Sequence, residues 1–315
     1  MAILKPASWA HKATESNILL FIGLLFVFYF FSFVIGAFIA NLIWGISILT
    51  PNALADIANP AVLNTLKCVQ IIGSIGTFIL PPILMAYLMS NAPYSFLGFQ
   101  KSNNGKRYVA AFIIFIASIP IINLLSEWNN RLILPDFLKD LEIMMRNAEN
   151  NAQKITEAFL ITHSISGFLL NICMVAIIPA LGEELVFRSI LQKLFHQMTK
   201  NIHIAILISA ILFSAMHFQF YGFIPRVLLG VFFGYLYYWS NSIWLPIFAH
   251  FINNTGAVLM NFLQSEKIID IDAEKIGIDS ASPTYIMPLA ILVTTASIWY
   301  LFKNRSSLRM SNENA

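Results

Sequence analysis

Two adjacent glutamates and an arginine lie beside a long apolar run. The stretch reads AIIPALGEELVFRSIL and carries Glu183, Glu184 and Arg188. Charged groups in or beside hydrocarbon are expensive and usually functional. Two more polar clusters follow on apolar segments: FSAMH, ending at His217, and HFINN, starting at His250. Glutamate, histidine and asparagine are the parts of a hydrolytic site. A glutamate takes a proton from water, and a histidine orients that water or delivers a proton to a leaving amine. A second histidine and an asparagine donate where oxyanion charge develops.

Helical spacing sorts these groups. Glu184 and Arg188 are four apart and share a face, so they can pair. Glu183 is rotated by about 100° and points elsewhere. Its carboxylate is then free to do chemistry or carry a proton. Pro179 and Gly182 loosen the helix just before the pair and permit close approach. Phe213 and His217 share one face, as do His250 and Asn254, while Asn253 need not join them. Asn241 or Ser242 is expected to cap the helix that carries His250, and Pro246 is early enough to be tolerated. Spacing alone does not bring the three segments together.

The elements that must position them are membrane helices. Of 315 residues, 58% are hydrophobic and 11% charged, and 27 are phenylalanine. A typical soluble domain carries about 25% charged residues. A span needs roughly 20 mostly apolar residues. Eight candidates lie at about Asn17–Leu42, Val69–Leu88, Tyr108–Leu125, His163–Leu181, Ile202–His217, Ile224–Tyr238, Ile243–Phe262 and Tyr285–Phe302. The expected fold is all-α, a polytopic bundle of about eight transmembrane helices forming one domain over 1–315. The first run continues into NLIWGISIL and reads as an anchor rather than a removed signal.

Loop charge orients the bundle. Lys5, Lys12, Lys101, Lys106, Arg107, Lys193, Lys200, Lys303, Arg305 and Arg309 fall on one side. The alternate loops are acidic: Glu127–Glu157 has six acidic and four basic residues, and Glu266–Asp279 has five and two. Basic loops favour the cytoplasm, so both termini are expected there. The formal charge of +3 is explained by those loops, and nucleic acid is not an expected partner. Cys68 and Cys173 read as core residues, not as a disulfide framework. The acidic loop Glu266–Pro283 lacks the spacing of a calcium loop. The stretch Ile133–Leu160 has the pattern of an interfacial helix, with a gate over a substrate entry as its sharper role.

Simple counting leaves a conflict of depth. It puts Glu183 near one end of the fourth span and His217 near the other end of the fifth. Cooperation requires the fourth helix to run past Arg188, to about Phe195, and the fifth to extend beyond His217.

EELVFR, FSAMH and HFINN together resemble the three motifs of the CPBP intramembrane proteases, EExxxR, FxxxH and HxxxN. That family includes the type II CAAX prenyl endopeptidases and bacteriocin-processing or Abi-like proteins. The resemblance covers about Ile161–Leu263, the protease signature core 161–263. It implies an eight-helix membrane core and an endopeptidase of EC class 3.4. By the same carry-over Glu183 activates water, His217 assists it, His250 and Asn254 stabilise the oxyanion, and Glu184 and Arg188 organise the site. Zinc has been proposed for the family, alongside a metal-free glutamate mechanism. Zinc wants three protein ligands and an open position, which Glu183, His217 and His250 could supply. The HExxH pair is absent from the sequence, and Asn254 is a poor ligand, so no cofactor is favoured and zinc is the alternative.

Expected partners are membrane lipid and a peptide or membrane-associated protein substrate, CAAX-like or a leader peptide. The basic inner loops of a compact chain point to a multi-pass protein of a bacterial cytoplasmic membrane. The rival class is a non-catalytic transporter, immunity or scaffold protein, since intramembrane charges also serve ion pathways. The sequence shows no inverted repeat of the transporter kind.

Overall fold

The computed structural model describes residues 5–48, 50, 56–100, 104–279 and 282–305. Lys101, Arg309, and Ser280 and Ala281 of the acidic loop lie outside them. Among the described residues the chain is helical without strands, a polytopic helical bundle. Its main helices are α1 (Thr14–Trp44), α2 (Pro60–Met89), α3 (Gly105–Asn130), α4 (Lys139–Leu160), α5 (Ile165–Thr199), α6 (Ile202–Ala215), α7 (Phe223–Ser240), α8 (Trp244–Ser265) and α9 (Ile286–Lys303).

Each of the eight apolar stretches forms a helix. Six helices are long and apolar enough to cross a membrane: α1, α2, α3, α5, α9 and the segment Phe220–Ser240 that contains α7. The other two are α6 and α8. With 14 residues, α6 is about 21 Å long, shorter than a hydrocarbon core of about 30 Å. Helix α8 has the length, but its HFINN stretch dilutes the apolarity. On α1, Phe26, Phe30, Phe31 and Phe38 are exposed, as expected for a helix in lipid.

Local chemistry sets the ends and irregularities. Gly45 stops α1 in a left-handed conformation, φ 68°, with its N–H on Asn41 O. Asn59, Asn104, Ser164 and Asn201 cap α2, α3, α5 and α6 with their side chains. Helix α5 has two π-helical stretches, Ile172–Ile177 and Leu185–Leu191. Pro179 and Gly182 lie between them. A Cβ on Gly182 would sit 2.6 Å from Cβ of Phe78, so only glycine lets α2 approach there. The expected cap on α8 is not formed. Asn241 instead ends α7 in a left-handed conformation, and the Ser242 hydroxyl donates to Gln100 O at 2.5 Å.

Two clusters form the core. One gathers Phe21, Met85, Leu185, Phe187, Ile190, Leu194 and Phe213 from α1, α2, α5 and α6. The other gathers Ala111, Ile114, Phe233, Leu236, Leu245 and Ala249 from α3, α7 and α8. Phe213 and Phe233 meet edge to face at 6.5 Å, so the motif residues stand at the seam between the clusters.

Helix α4 packs against α2, α5, α8 and the turn at Phe220–Gly222. Leu141, Met144 and Ile155 are exposed while Glu142, Arg146 and Glu149 face inward. That orientation suits an interfacial helix with its apolar stripe turned away from the bundle.

Candidate active site

The depth conflict is resolved by helix length. Helix α5 runs past Arg188 to Thr199, farther than Phe195. From there to Glu183 is 16 residues, about 24 Å of rise. The helical part of α6 ends at Ala215 and does not extend beyond His217, as the sequence reading required; His217 lies in the turn that follows. From Ile202 to His217 is 15 residues, about 22 Å at helical rise. Antiparallel packing fixes the register. The Ser209 hydroxyl donates to Phe187 O at 2.8 Å, and the Phe187 and Phe213 rings meet at 5.3 Å. His217 therefore stands near the level of Glu183.

The tightest cluster joins α5 and α8. Glu184 is fully buried and Arg188 is 1% exposed. Arg188 Nη1 lies 3.0 Å from Glu184 Oε1, and Nη2 donates to Gly230 O at 3.0 Å. The Nη1 contact is off the angle of a hydrogen bond, so it is an ion pair held mainly by charge. His250 is buried. Its Nδ1 lies 2.9 Å from Glu184 Oε1, and its Nε2 lies 3.9 Å from Glu183 Oε2. The two glutamates point differently, as helical spacing requires, yet one imidazole meets both.

Aromatic rings wall this cluster. Phe233 stacks on His250 with centroids 5.0 Å apart. The guanidinium of Arg188 lies 4.8 Å from the Phe213 ring centre and 5.5 Å from that of Phe233. Such contacts favour a desolvated cation by roughly 2 kcal/mol. Gly230 makes the Arg188 bond possible: a Cβ there would be 3.1 Å from Ala210 Cα. The close α6–α7 approach is the work of this glycine and Gly234, and Gln192 Nε2 repeats the bond one turn on, to Gly234 O at 3.2 Å.

His217 stands near this cluster without bonding to it. Its Nδ1 is 2.9 Å from Phe213 O, and its ring meets Phe213 edge to face at 5.3 Å. The same Phe213 ring faces His250 at 5.9 Å, so one phenylalanine spaces the two histidines. Asn254 is bound elsewhere. Its Nδ2 donates to Val175 O at 2.9 Å, and Asn253 donates to its Oδ1 at 3.1 Å. Pro179 has no N–H to give Val175 the usual i+4 bond, and Asn254 supplies one from α8.

Zinc would draw on Glu183, His217 and His250, of which Glu183 and His250 come within 3.9 Å. Among the described residues no three of His, Cys, Asp and Glu gather as metal ligands. Nδ1 of each histidine is committed, to Glu184 and to Phe213 O, which leaves Nε2 of each as the nitrogen open to water or a metal ion. Arg188 already neutralises Glu184.

Sequence reasoning missed several polar contacts. Lys67 of α2 is buried, with Nζ 3.3 Å from Asn171 Oδ1; Asn171 in turn donates to Leu160 O at 3.0 Å. This pair lies three turns up α5 from Glu183. His163, which no motif includes, has Nδ1 2.8 Å from Glu266 Oε1. Arg226 donates to the backbone and side-chain oxygens of Gln219 at 3.0 and 2.8 Å. For Lys67, Asn171 and Arg226 the available signal was a charged or amide residue in or beside an apolar run.

Comparison with known proteins matches the segment that carries the site's residues. Residues 165–256 match the family model described as Type II CAAX prenyl endopeptidase Rce1-like. That segment contains all three motifs. The chain is similar to "Putative membrane peptidase YdiL" of Bacillus subtilis (strain 168), 34% identical over 91 residues, 29% of this chain and 37% of that one. It is also similar to "Uncharacterized protein YpbD" of the same organism, 28% identical over 86 residues, 26% of this chain and 41% of that one. The matched part spans less than half the length of either relative. No solved structure matches the chain.

Proposed function

We propose that the protein is an intramembrane endopeptidase that hydrolyses a peptide bond with water activated at Glu183. The observation that carries this reading is buried His250 standing between two adjacent glutamates in an aromatic-walled seam. The Glu184 carboxylate is held by Arg188, so it accepts, and the Nδ1 proton of His250 donates to it. The Nε2 of a neutral ring is then an acceptor. It faces another acceptor, the Glu183 carboxylate, at 3.9 Å. Two acceptors aimed at one gap need a donor between them, and water is the donor at hand.

In the reaction, Glu183 takes a proton as the water oxygen attacks the carbonyl carbon. The proton, held between Glu183 and Nε2 of His250, passes to the departing amide nitrogen as the C–N bond breaks. A ring that gains this proton turns Nε2 from acceptor to donor while oxyanion charge is present. His217, at the same level, offers its free ring nitrogen to the leaving group. Asn254 has a second amide hydrogen beyond the one given to Val175, available to the oxyanion. Burial of Glu184, Arg188 and His250 strengthens the interactions among them. No step passes through a metal.

The Rce1-like match over 165–256 supports a CAAX-type substrate, and the basic loops favour both termini on the cytoplasmic side of the membrane. Comparative peptidomics of cells carrying the wild type or Glu183→Gln, with metal analysis of the pure protein, tests the reading. Fragments that disappear with Glu183→Gln support it. Identical fragments from both strains sink it, and stoichiometric zinc required for cleavage would replace the metal-free mechanism.

A further inference from the structure

We infer that Arg226 is a positioning residue of this site, holding the turn that carries His217 by a two-pronged grip on Gln219. The inference rests on the peptidase reading, which gives His217 its task. Nη1 of Arg226 donates to the backbone oxygen of Gln219 at 3.0 Å, and Nη2 donates to its Oε1 at 2.8 Å. One planar guanidinium thus fixes both the main chain and the side chain of a residue two positions from His217. Lysine cannot reproduce that fork. Gly222 leaves the space for it, since a Cβ there would collide with the Arg226 guanidinium.

The turn needs such a grip. Between His217 and Gln219, Phe218 is held at φ +53°, a conformation that a bulky side chain adopts only when its surroundings impose it. The Phe218 ring is 87% exposed, so its own packing does not impose it. The other ties grip the far side of the turn. The Ser214 hydroxyl donates to Phe223 O at 2.8 Å, Asn129 binds Phe220 O and Ile224 N at 3.0 and 2.9 Å, and Tyr221 N donates to Glu149 at 3.2 Å. Arg226 alone among these holds residue 219. Its charge also acts on both Glu183 and Glu149.

The test compares the full-length wild type with Arg226→Met, Arg226→Lys, Gln219→Ala and Glu183→Gln in proteoliposomes. Amide hydrogen exchange is followed over 216–222 and over α5, and turnover is measured on a farnesylated peptide ending in a CAAX box. In Arg226→Met, exchange at 216–222 is expected to rise about tenfold or more, with α5 unchanged. The value of kcat is expected to fall by about tenfold or more, with KM held within about twofold. Arg226→Lys is expected not to rescue either quantity, and Gln219→Ala to reproduce part of both. Wild-type protection of 216–222 in Arg226→Met overturns the inference, as does unchanged kcat where Glu183→Gln is inactive. Wild-type turnover by Glu183→Gln defeats the peptidase reading instead. Where the wild type does not cleave this peptide, the exchange measurement alone decides about Arg226.

Discussion

Nδ1 of His250 lies 2.9 Å from Oε1 of Glu184, and this bond separates the tasks of two neighbouring glutamates. Glu184 is spent on Arg188 and the imidazole. Glu183, 15% exposed at its side chain, faces the other ring nitrogen and is left to react. Glu183→Gln should therefore abolish cleavage, a loss of about a hundredfold or more, with little change in melting temperature. Glu184→Gln should unfold the protein more readily. Breaking a buried ion pair from one side costs about 3–5 kcal/mol, measured by denaturant unfolding in detergent. Equal stability of the two variants would contradict this division.

Asn254 has a structural duty besides any catalytic one. Asn254→Ala leaves Val175 O without its α8 donor, at a cost of about 1–3 kcal/mol. Pro179→Ala restores a backbone N–H in α5. In that background Asn254→Ala should cost less, and a double-mutant cycle measures the difference. An additive cycle would show that the proline and the asparagine are unrelated.

Gly230 should not tolerate a methyl group. Its Cβ would stand 3.0 Å from Ala210 Cβ, forcing α6 from α7 and shifting the carbonyl that Arg188 uses. Gly230→Ala is expected to destabilise by about 1–3 kcal/mol. Gly23→Ala, with nothing within 4 Å, should be neutral or slightly stabilising. Thermal unfolding of the two variants checks the contrast.

The inward face of α4 should be sensitive to acid. The hydrogen bond from Arg146, reinforced by backbone N–H of Leu134, holds the Glu142 carboxyl below its ordinary value. A carboxyl depressed in the folded state contributes stability above its unfolded pKa and loses it as pH falls through the folded one. Hydrogen exchange at 139–149 should thus stay slow at neutral pH and quicken only below the usual carboxylate range. In Glu142→Gln the protection should be weaker at neutral pH and change little with acid. Acid-induced loosening of equal size in that variant would contradict the assignment.

Much of this site was legible before any coordinates. The i,i+4 spacing of Glu184 and Arg188 specified a pair, and the pair is formed. The eight apolar stretches each became a helix, because runs of Phe, Ile and Leu admit few other solutions in lipid. Helix ends were harder. Residues 204–216 are apolar but for Ser209 and Ser214, so hydropathy gave no sign that α6 stops at Ala215. The π-helical stretches of α5 change the angular step between residues, which a 3.6-residue period cannot show. Two partners were beyond reach for another reason. Asn254 and Arg226 each donate to a backbone carbonyl, of Val175 and Gln219, and a backbone carbonyl has no letter in the sequence.

The most direct test of the account is cleavage in water enriched in oxygen-18. Wild-type protein and Glu183→Gln are reconstituted with a bacterial membrane-protein fraction, and new C-termini are read by mass spectrometry. The account predicts labelled carboxyl ends from the wild type and none from Glu183→Gln. Labelled ends at the same rate from both would contradict it.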